Sequence, residues 1–514
     1  MSSDSPLDVA VIGAGFGGLA TALTLASRGA RVVLFESLKY AGGCASTFTR
    51  GGARYESGAT LFSGFGEGQL FHRWTREHAL PIRFDVHEPL VELRAGETCL
   101  RIGADRASLV AQLTALSPEH ASRLERFFDE QTRVASALWA LLDDPSLLPP
   151  LSAETLLRHL ERTGAYLPLT RVIGRSLASV VARHGLSDCA PLRHYLDAVC
   201  QITVQTSSSE AEAPFAMGAM DYYFRGTGHI HGGIGELAQA LVMAIRERGG
   251  EVRFVDKVSR ISASGSAFEV HARKGSITAQ HVVLNLTPRD VLRVLDAELV
   301  HPKLHRLAKR VDAGWGAVML YLQLDANAPI RPEAHHLELV REVEKPFVEG
   351  NHIFVSISGV DENKAPDGRR TVTISTHVAM PLFMPLNDDA RGALIAQIQQ
   401  SMRETLAEKA PEVSASIVHA MTGSPRTFER FVGRHEGIVG GIPRRRGLAH
   451  YLQLGPFEVS AGLSREGNQQ TIREGNQQTI HLVGDSVFPG QSTLATALGG
   501  VKTAETVLTQ LGAG

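Results

Sequence analysis

The stretch Val9-Ala-Val-Ile-Gly13-Ala-Gly15-Phe-Gly-Gly18 decides the fold. An apolar run of strand type feeds directly into G-x-G-x-x-G, and a helical pattern follows over 19–27 until Arg28-Gly29 stops it. A second apolar run, Arg31-Val-Val-Leu-Phe35, ends in Glu36. Each part has a physical reason. Gly13 permits the tight turn, Gly15 lets a pyrophosphate approach the backbone, and Gly18 lets the helix pack closely on the strand. The helix N-terminus offers free N–H groups and the positive end of its dipole to phosphate. Glu36 is placed to accept hydrogen bonds from ribose hydroxyls, and its charge disfavours a 2′-phosphate. Strand, glycines, helix, strand and acid in this order predict a dinucleotide-binding βαβ unit.

Working outward, Ala41-Gly42-Gly43-Cys44-Ala-Ser-Thr47 comes soon after the second strand and would lay more glycine backbone against the pyrophosphate. That is the pattern of flavoproteins with two dinucleotide-binding domains, so the cofactor expected is FAD rather than NAD. Arg54-Tyr-Glu-Ser-Gly58-Ala-Thr-Leu-Phe62 reads as another turn into a strand. Near the C-terminus, Ile480-His-Leu-Val-Gly484-Asp485 reads as a strand ending in Gly-Asp, followed by a helix to about residue 510. Asp485 suits the ribityl hydroxyls, and the helix N-terminus suits the flavin N1–C2=O edge, where negative charge collects on reduction. The other reading is an ordinary crossover with Ser492 capping the helix. Between these ends, Gly232-Gly233-Ile-Gly235 opens an amphipathic helix stopped by Arg248-Gly-Gly250. Residues 251–261 follow as strand, with Val258 as backbone partner of adenine, and 282–286 as another strand. The candidate cofactor-binding residues are Gly13, Ala14, Gly15, Gly17, Gly18, Glu36, Gly42, Gly43, Ser46, Thr60, Val258, Gly484, Asp485, Gln491, Ser492 and Thr493.

Composition sets the frame. The chain has 514 residues, so two to four domains are expected at about 150 residues each. Lys+Arg number 52 against 54 Asp+Glu, a net charge of −2, which excludes a chain-wide electrostatic grip on nucleic acid. Hydrophobic residues at 43% and charged at 21% are globular values. Four cysteines without a C-x-x-C pair exclude a disulfide framework or a zinc ribbon. Glycine stands out at 50 residues, nearly 10%, against about 7% on average. No secretory leader and no transmembrane helix is expected, and a cytoplasmic location is. The apolar segment Val134-Ala-Ser-Ala-Leu-Trp-Ala-Leu-Leu142 is too short to span a bilayer and reads as a buried helix, or else as a membrane-dipping entrance.

The motifs together resemble the FAD-dependent carotenoid desaturase and isomerase family, related to phytoene desaturases. The resemblance rests on 13–36, on Gly42-Gly43-Cys44-Ala-Ser-Thr-Phe48, on Gly232-Gly233-Ile-Gly235 and on Gly484-Asp-Ser-Val-Phe-Pro-Gly-Gln491. The stretch Pro425-Arg-Thr-Phe-Glu-Arg-Phe-Val-Gly433-Arg-His-Glu-Gly437-Ile-Val-Gly-Gly-Ile-Pro443 looks most like the carotenoid 3,4-desaturase branch. The order of motifs spans nearly the whole chain. Retinol saturase-like reductases belong to the same family. The implied fold is α/β: a Rossmann-type FAD-binding domain assembled from discontinuous segments, interleaved with an α+β substrate domain. The segments expected are 1–105 (FAD-binding, with the start of the substrate domain), 106–228 (mainly helical, substrate- or membrane-facing), 229–297 (FAD-binding), 298–455 (substrate sheet plus one helix, 388–410) and 456–514 (FAD-binding). The implied reaction removes hydride from a long apolar polyene to flavin N5, with electrons passing to oxygen or a quinone. The alternatives are cis–trans isomerisation with reduced FAD, an amine oxidase-like or retinol saturase-like reaction, or a non-catalytic FAD- or lipid-binding role. The resemblance also implies a membrane-surface enzyme, peripheral on the cytoplasmic membrane. The chain departs from the wider flavoprotein group at Cys44, where an arginine commonly meets the pyrophosphate.

Flavin chemistry on a polyene needs orientation more than acid–base residues, and no catalytic residue is assigned. His229 and His231 flank the Gly232 turn, where a local structural role is the simpler reading. His335-His336 and His301/His305 lack ligand spacing with other donors, so no metal is expected. Asp221-Tyr-Tyr-Phe224 reads as core, or else as lining for the substrate path. Residues 425–447 carry six Arg (426, 430, 434, 444, 445, 446) against Glu429 and Glu436, a solvated basic loop or an anionic-lipid patch. Arg465-Glu-Gly-Asn-Gln-Gln-Thr-Ile472 repeats unchanged as 473–480. Its polar content suits a surface loop, where length costs little. Deleting 465–472 is therefore expected to leave flavin retention intact, read by the absorbance of the purified variant.

Overall fold

The computed structural model describes residues 6–58, 60–148, 153–447, 457–460 and 478–512. Two eight-stranded sheets organise it. The first runs Val258–Ser264, Ala267–Ala272, Gly275–Leu284, Leu7–Ile12, Val32–Phe35, Glu251–Arg253, with Thr479–Leu482 and then Phe457–Ser460 added beside Gly275–Leu284. The long strand Gly275–Leu284 pairs in parallel with Leu7–Ile12 on one edge and serves two neighbours on the other. Its first half pairs antiparallel with Ala267–Ala272, while Val282, Val283 and Leu284 pair in parallel with Ile480, His481 and Leu482. This sheet is therefore built from three separated parts of the chain, as a doubly wound parallel sheet requires when strands that are neighbours in space are remote in sequence.

Close packing against the sheet explains several glycines. Helix Phe16–Ser27 lies on it with nearly every residue buried. A Cβ at Gly18 would stand 2.0 Å from the Gly13 carbonyl oxygen, so only glycine permits this approach. The C-terminal helix Thr493–Gln510 packs on the same helix. A Cβ at Gly500 there would meet the Gly17 oxygen at 2.3 Å.

The second sheet runs Ile417–Gly423, Trp315–Leu324, Arg370–Ala379, His352–Ile357, His335–Val340, Val91–Ala95, Thr98–Ile102, with Ile438–Val439 beside Trp315–Leu324. All its pairings are antiparallel except His335–Val340 with Val91–Ala95. Helices Ala121–Leu142, Ala190–Thr203 and Ala213–Met220 form much of the region between Thr98–Ile102 and Ile234–Glu247. The architecture is thus an α/β dinucleotide-binding fold interleaved with an α+β unit.

Some local expectations change. Residues 251–261 are not one strand. The chain breaks after Arg253, Val255 takes φ +54°, and the N–H groups of Val255 and Asp256 bond the carbonyls of Leu38 and Glu36 before strand Val258–Ser264 begins. The strand near residue 55 precedes the turn rather than following it: Thr47–Arg50 and Ala53–Glu56 form a hairpin, and beyond it Phe62 makes one bridge, to Gly228. The helix Asp388–Lys409 has company, since Pro302–Asp312 and Pro425–Val432 are also helical. Each begins with proline at its first turn, a helix-start signal. The duplicated 465–472 lies outside the described residues.

A buried ionic cluster ties the hairpin to the second sheet. Lys364 Nζ is 2.6 Å from Glu56 Oε1 and 3.3 Å from Glu362 Oε2. Glu362 Oε1 is 3.1 Å from His229 Nε2. Glu56 Oε2 also accepts Thr47 Oγ1 and the Ile234 N–H. The Gly232 N–H donates to Glu362 Oε2 at 2.9 Å. The Gly232 turn, the hairpin and the loop after Ile357 are thereby held to one another.

Candidate functional site

The two sheets, their loops and the helical region line a large cavity of about 930 Å³. From the first sheet and its loops come Gly13, Gly15, Gly17, Glu36, Gly42, Gly43, Cys44, Val258, Asn285, Gly484, Asp485, Gln491, Ser492 and Thr493, with Thr60 from the loop after the hairpin. Three expected residues do not line it, and each has a nearby structural task. The Ala14 N–H donates to Glu36 Oε2 at 2.8 Å. Gly18 makes the close helix–strand contact already described. Ser46 Oγ donates to the Gly43 carbonyl at 2.8 Å and also meets Ser57 Oγ at 3.0 Å, fixing the second glycine loop.

Sequence segments far apart converge here. A Cβ on Gly43 would lie 3.7 Å from Gly15 Cα, so the two glycine loops face each other. Asn285, at the end of strand Gly275–Leu284, sits beneath them, and a Cβ at Gly13, Gly15, Gly17 or Gly484 would come within 3.0 Å of it. Glu36 is nearly buried and accepts the N–H groups of Ala14 and Leu38, both at 2.8 Å. Burial pushes its carboxyl above the ordinary value, against those hydrogen bonds. Ser492 takes φ +93° and its Oγ accepts the Ala495 N–H at 3.1 Å, so it does cap helix Thr493–Gln510. Residues 491–493, 495 and 496 line the cavity, so this cap opens onto it.

The sequence reading missed Arg434. Helix Pro425–Val432 ends at Gly433, whose φ of +76° is left-handed, and the next residue turns inward. The Arg434 guanidinium donates to Asp485 Oδ2 at 2.9 Å, to the Gly440 carbonyl at 3.0 Å and to the Ile438 carbonyl. It also acts directly on Cys44, whose thiol burial pushes up and Arg434 pulls down. A cation thus reaches the glycine-pair loop from a remote segment, beside the position where the wider group carries arginine. The missing cation at Cys44 was the available signal, but nothing local in sequence links residues 44 and 434. Asn285 was equally silent, quoted only as a strand end.

The basic stretch 425–447 does not form a uniform exposed patch. Arg426 pairs with Asp388, Arg434 with Asp485 and Arg445 with Glu210, while Arg444 lies over Phe215. His229 and His231 are engaged by Glu362 and Asp361 and do not line the cavity. Of Asp221–Phe224, Tyr222 lines the cavity and donates to the Leu61 carbonyl at 3.1 Å, while Asp221 and Tyr223 are buried away from it.

The rest of the cavity wall comes from the helices and the second sheet. Leu138, Trp139, Leu142, Ile202, Val204, Phe215, Ala219, Ala317, Met319, Phe354 and Val439 make it largely apolar. Thr203, Gln205, Ser375, His377 and Arg444 are polar members, and Glu429 and Arg430 of helix Pro425–Val432 line the cavity too. Burial holds the His377 imidazole down to about 4, with His352 adding to the effect, so the ring is neutral at ordinary pH. Among the described residues, helices Ala121–Leu142, Ala190–Thr203 and Ala213–Met220 and the second sheet contribute no carboxylate to the wall.

Opposed glycine loops, two helix N-termini and a strand-end acid define a flavin-dinucleotide enzyme. The buried Gln491 Oε1, without a partner among the described residues, fits a ligand there as well. The comparisons agree. The family model described as "Flavin containing amine oxidoreductase" matches residues 16–423, and the chain belongs to that family. It is an FAD-dependent oxidoreductase. Prolycopene isomerase of Arabidopsis thaliana is 26% identical over 99% of this chain and 84% of its own length. All-trans-retinol 13,14-reductase of Danio rerio is 23% identical over 85% of this chain and 78% of its own. Among solved structures, an oxidoreductase from Methanosarcina mazei superposes with TM-score 0.59 at 17% identity, covering 97% of this chain and 100% of that one. At that identity the likeness shows the fold.

Proposed function

We propose that the protein acts on the double-bond system of a long, uncharged polyene or isoprenoid, removing hydride from carbon. The observation that carries this reading is the apolar half of the cavity wall. An amine substrate would enter as a cation and need a negative receptor, whereas among the described residues the wall residues from helices Ala121–Leu142, Ala190–Thr203 and Ala213–Met220 and from the second sheet include no carboxylate. Bound FAD supplies the hydride-accepting chemistry. The chain's own residues orient. The glycine loops and Arg434 take the dinucleotide; Glu36 and Asp485 take ribose and ribityl hydroxyls; Leu138, Trp139, Phe215, Tyr222 and Phe354 bound the apolar chain and exclude water. The companion proton leaves to solvent and the electron pair passes to oxygen or a quinone.

Isomerisation on the same scaffold is a second reading, favoured by the match to prolycopene isomerase over 99% of this chain. Incubation of the holoenzyme with acyclic polyenes, aerobically and with a quinone, separates the two. Longer-wavelength products support desaturation, and a changed isomer ratio at constant mass supports isomerisation. A flavin reduced only by amines overturns both.

Arg434→Met tests the cation at the cradle. FAD affinity is expected to fall ~10- to 100-fold in a titration of apoprotein by flavin fluorescence, the loss of about 1.5–3 kcal/mol that a charge-assisted bond is worth.

The substrate dissolves in lipid, so we also propose that the protein docks on an anionic bilayer. Among the described residues no helix is long and apolar enough to cross one. The surface that supports docking is not the basic stretch but helices Ala153–Glu161 and Thr163–Thr170. There Leu156, Leu157, Leu160 and Leu167 are 50–70% exposed, amid exposed Arg158, Arg162, Arg171 and Arg175. Helix Ala121–Leu142, whose end lines the cavity, packs against Thr163–Thr170. Leu156→Ser/Leu157→Ser/Leu160→Ser is expected to weaken sedimentation with anionic liposomes at least ~10-fold, since each leucine contributes on the order of 1 kcal/mol when buried. Equal binding would refute the docking surface.

A further inference from the structure

Gln205 is placed at some cost. Helix Ala190–Thr203 ends at Val204, and Gln205 follows with φ +56°. That left-handed position after a helix is usually glycine or asparagine, because other side chains crowd the backbone there. Gln205 is nonetheless 2% exposed and lines the cavity. A second position yields to it. Gly440 has φ +66°, and a Cβ there would stand 2.0 Å from Gln205 Nε2. Two residues remote in sequence, one left-handed without being glycine and the other glycine of necessity, meet so that one carboxamide fits.

The carboxamide's orientation is fixed by its neighbour. Its Nε2 is 3.4 Å from the Val439 carbonyl, which can only accept. The oxygen therefore points elsewhere, and Gln205 Oε1 is buried with no partner among the described residues. The backbone is anchored independently, since Trp315 Nε1 donates to the Gln205 carbonyl at 2.7 Å. An unpaired buried acceptor is costly unless a ligand satisfies it. Its location says where that ligand lies. The Gly440 carbonyl is held by Arg434, and a Cβ on the next residue, Gly441, would reach 1.8 Å from the Asp485 carbonyl. The segment 439–441 therefore runs from Gln205 to the end of the C-terminal dinucleotide strand. Gln205 stands where the cofactor half of the wall meets the apolar half.

We propose that Gln205 Oε1 accepts a hydrogen bond from a donor bound at this junction. Two sources offer that chemistry: a ring N–H of the flavin, or a hydroxyl on the substrate. The second rests on the polyene reading above; the first does not.

Gln205→Gly is the informative variant, because it removes the carboxamide while relieving the left-handed backbone, and so keeps or raises stability. Gln205→Met, an unbranched side chain of similar length without the acceptor, is its companion. Two measurements on FAD-loaded protein distinguish the sources. The first is the flavin midpoint potential without substrate, which tests the flavin arm whatever the substrate is. The second is the affinity for a hydroxyl-bearing polyene relative to its parent hydrocarbon, read by quenching of protein fluorescence. If the donor is the flavin, both variants shift the potential by the equivalent of ~10-fold, about 30 mV for a two-electron couple. If the donor is the substrate, the potential stays put and the preference for the hydroxylated polyene falls ~10-fold. Folded variants in which neither quantity changes overturn the proposal and leave Gln205 as a helix terminator.

Discussion

Gly15→Val is expected to give a colourless protein. A Cβ on Gly15 would stand 2.6 Å from Asn285 Nδ2, the movable end of a side chain, so the fold can yield there. The two methyl groups beyond it cannot be absorbed, because Gly43 faces Gly15 across the cradle, its own Cβ position only 3.7 Å from Gly15 Cα. They would fill the space the diphosphate requires. FAD affinity should fall at least ~100-fold, about 2.7 kcal/mol, with the thermal unfolding of the apoprotein little changed. Gly18→Val should behave differently. Its Cβ would collide at 2.0 Å with the Gly13 backbone oxygen, which has no freedom to move, so this variant loses folded protein as well as flavin. A Gly15→Val protein that stays yellow would contradict the assignment of the cradle.

Lys364→Met should be the most destabilising single change outside the cofactor loops. Lys364, Glu56 and Glu362 have side chains only 1–6% exposed, and methionine would leave two carboxylates without their cation. Breaking a buried ion pair from one side costs about 3–5 kcal/mol. The variant should unfold at a clearly lower urea concentration. The pH dependence gives a second check. Burial alone would raise the Glu362 carboxyl, but the His229 hydrogen bond and the Lys364 charge outweigh it and hold the group well below the usual carboxylate range. A depressed carboxyl contributes stability that is present above its unfolded value, about 4.3, and is lost as pH falls below that. The wild type should therefore lose stability below about pH 4.3, and Lys364→Met should lose less over the same range. A variant as stable as the wild type would show that the cluster is not holding the hairpin.

Much of the cofactor half was readable because its chemistry is local. Gly13, Gly15, Gly17 and Gly18 act within one turn, and the alternation of strand, turn and helix announces itself over 30 residues. Gly42 and Gly43 could be attached to that unit because they follow soon after its second strand, and Gly484 and Asp485 because they end an apolar run. Seven of the eight line the cavity, and Gly18 packs against Gly13 beside it. Ala14 and Ser46 were read as ligand contacts, yet their nearest partners are Glu36 and Gly43. Spacing can place a residue in a loop, but it cannot say which way its polar atoms turn.

The substrate half was less legible, because it is made by long-range encounters. Leu138, Phe215, Met319 and Phe354 come from two helices and from two strands of a different sheet, and in sequence they are ordinary core residues. The Arg434–Asp485 pair joins residues 51 apart, and Gln205 meets Gly440 across 235 positions. The arginines of 425–447 show the same limit in reverse: a run of like charge in sequence is drawn apart in space to four different partners.

By itself the sequence determined a dinucleotide-binding α/β fold, FAD as its cofactor and the glycine loops that would cradle it. Those depend on backbone conformations that only glycine reaches and on periodicities written in neighbouring residues. Only the tertiary structure decided that a remote arginine stands beside Cys44, that the basic stretch is dispersed, and that three helices and the second sheet bring a largely apolar wall to face the glycine loops. Burial, charge pairing and an orphaned hydrogen-bond acceptor are properties of surfaces brought together, and no segment of chain possesses them before it folds.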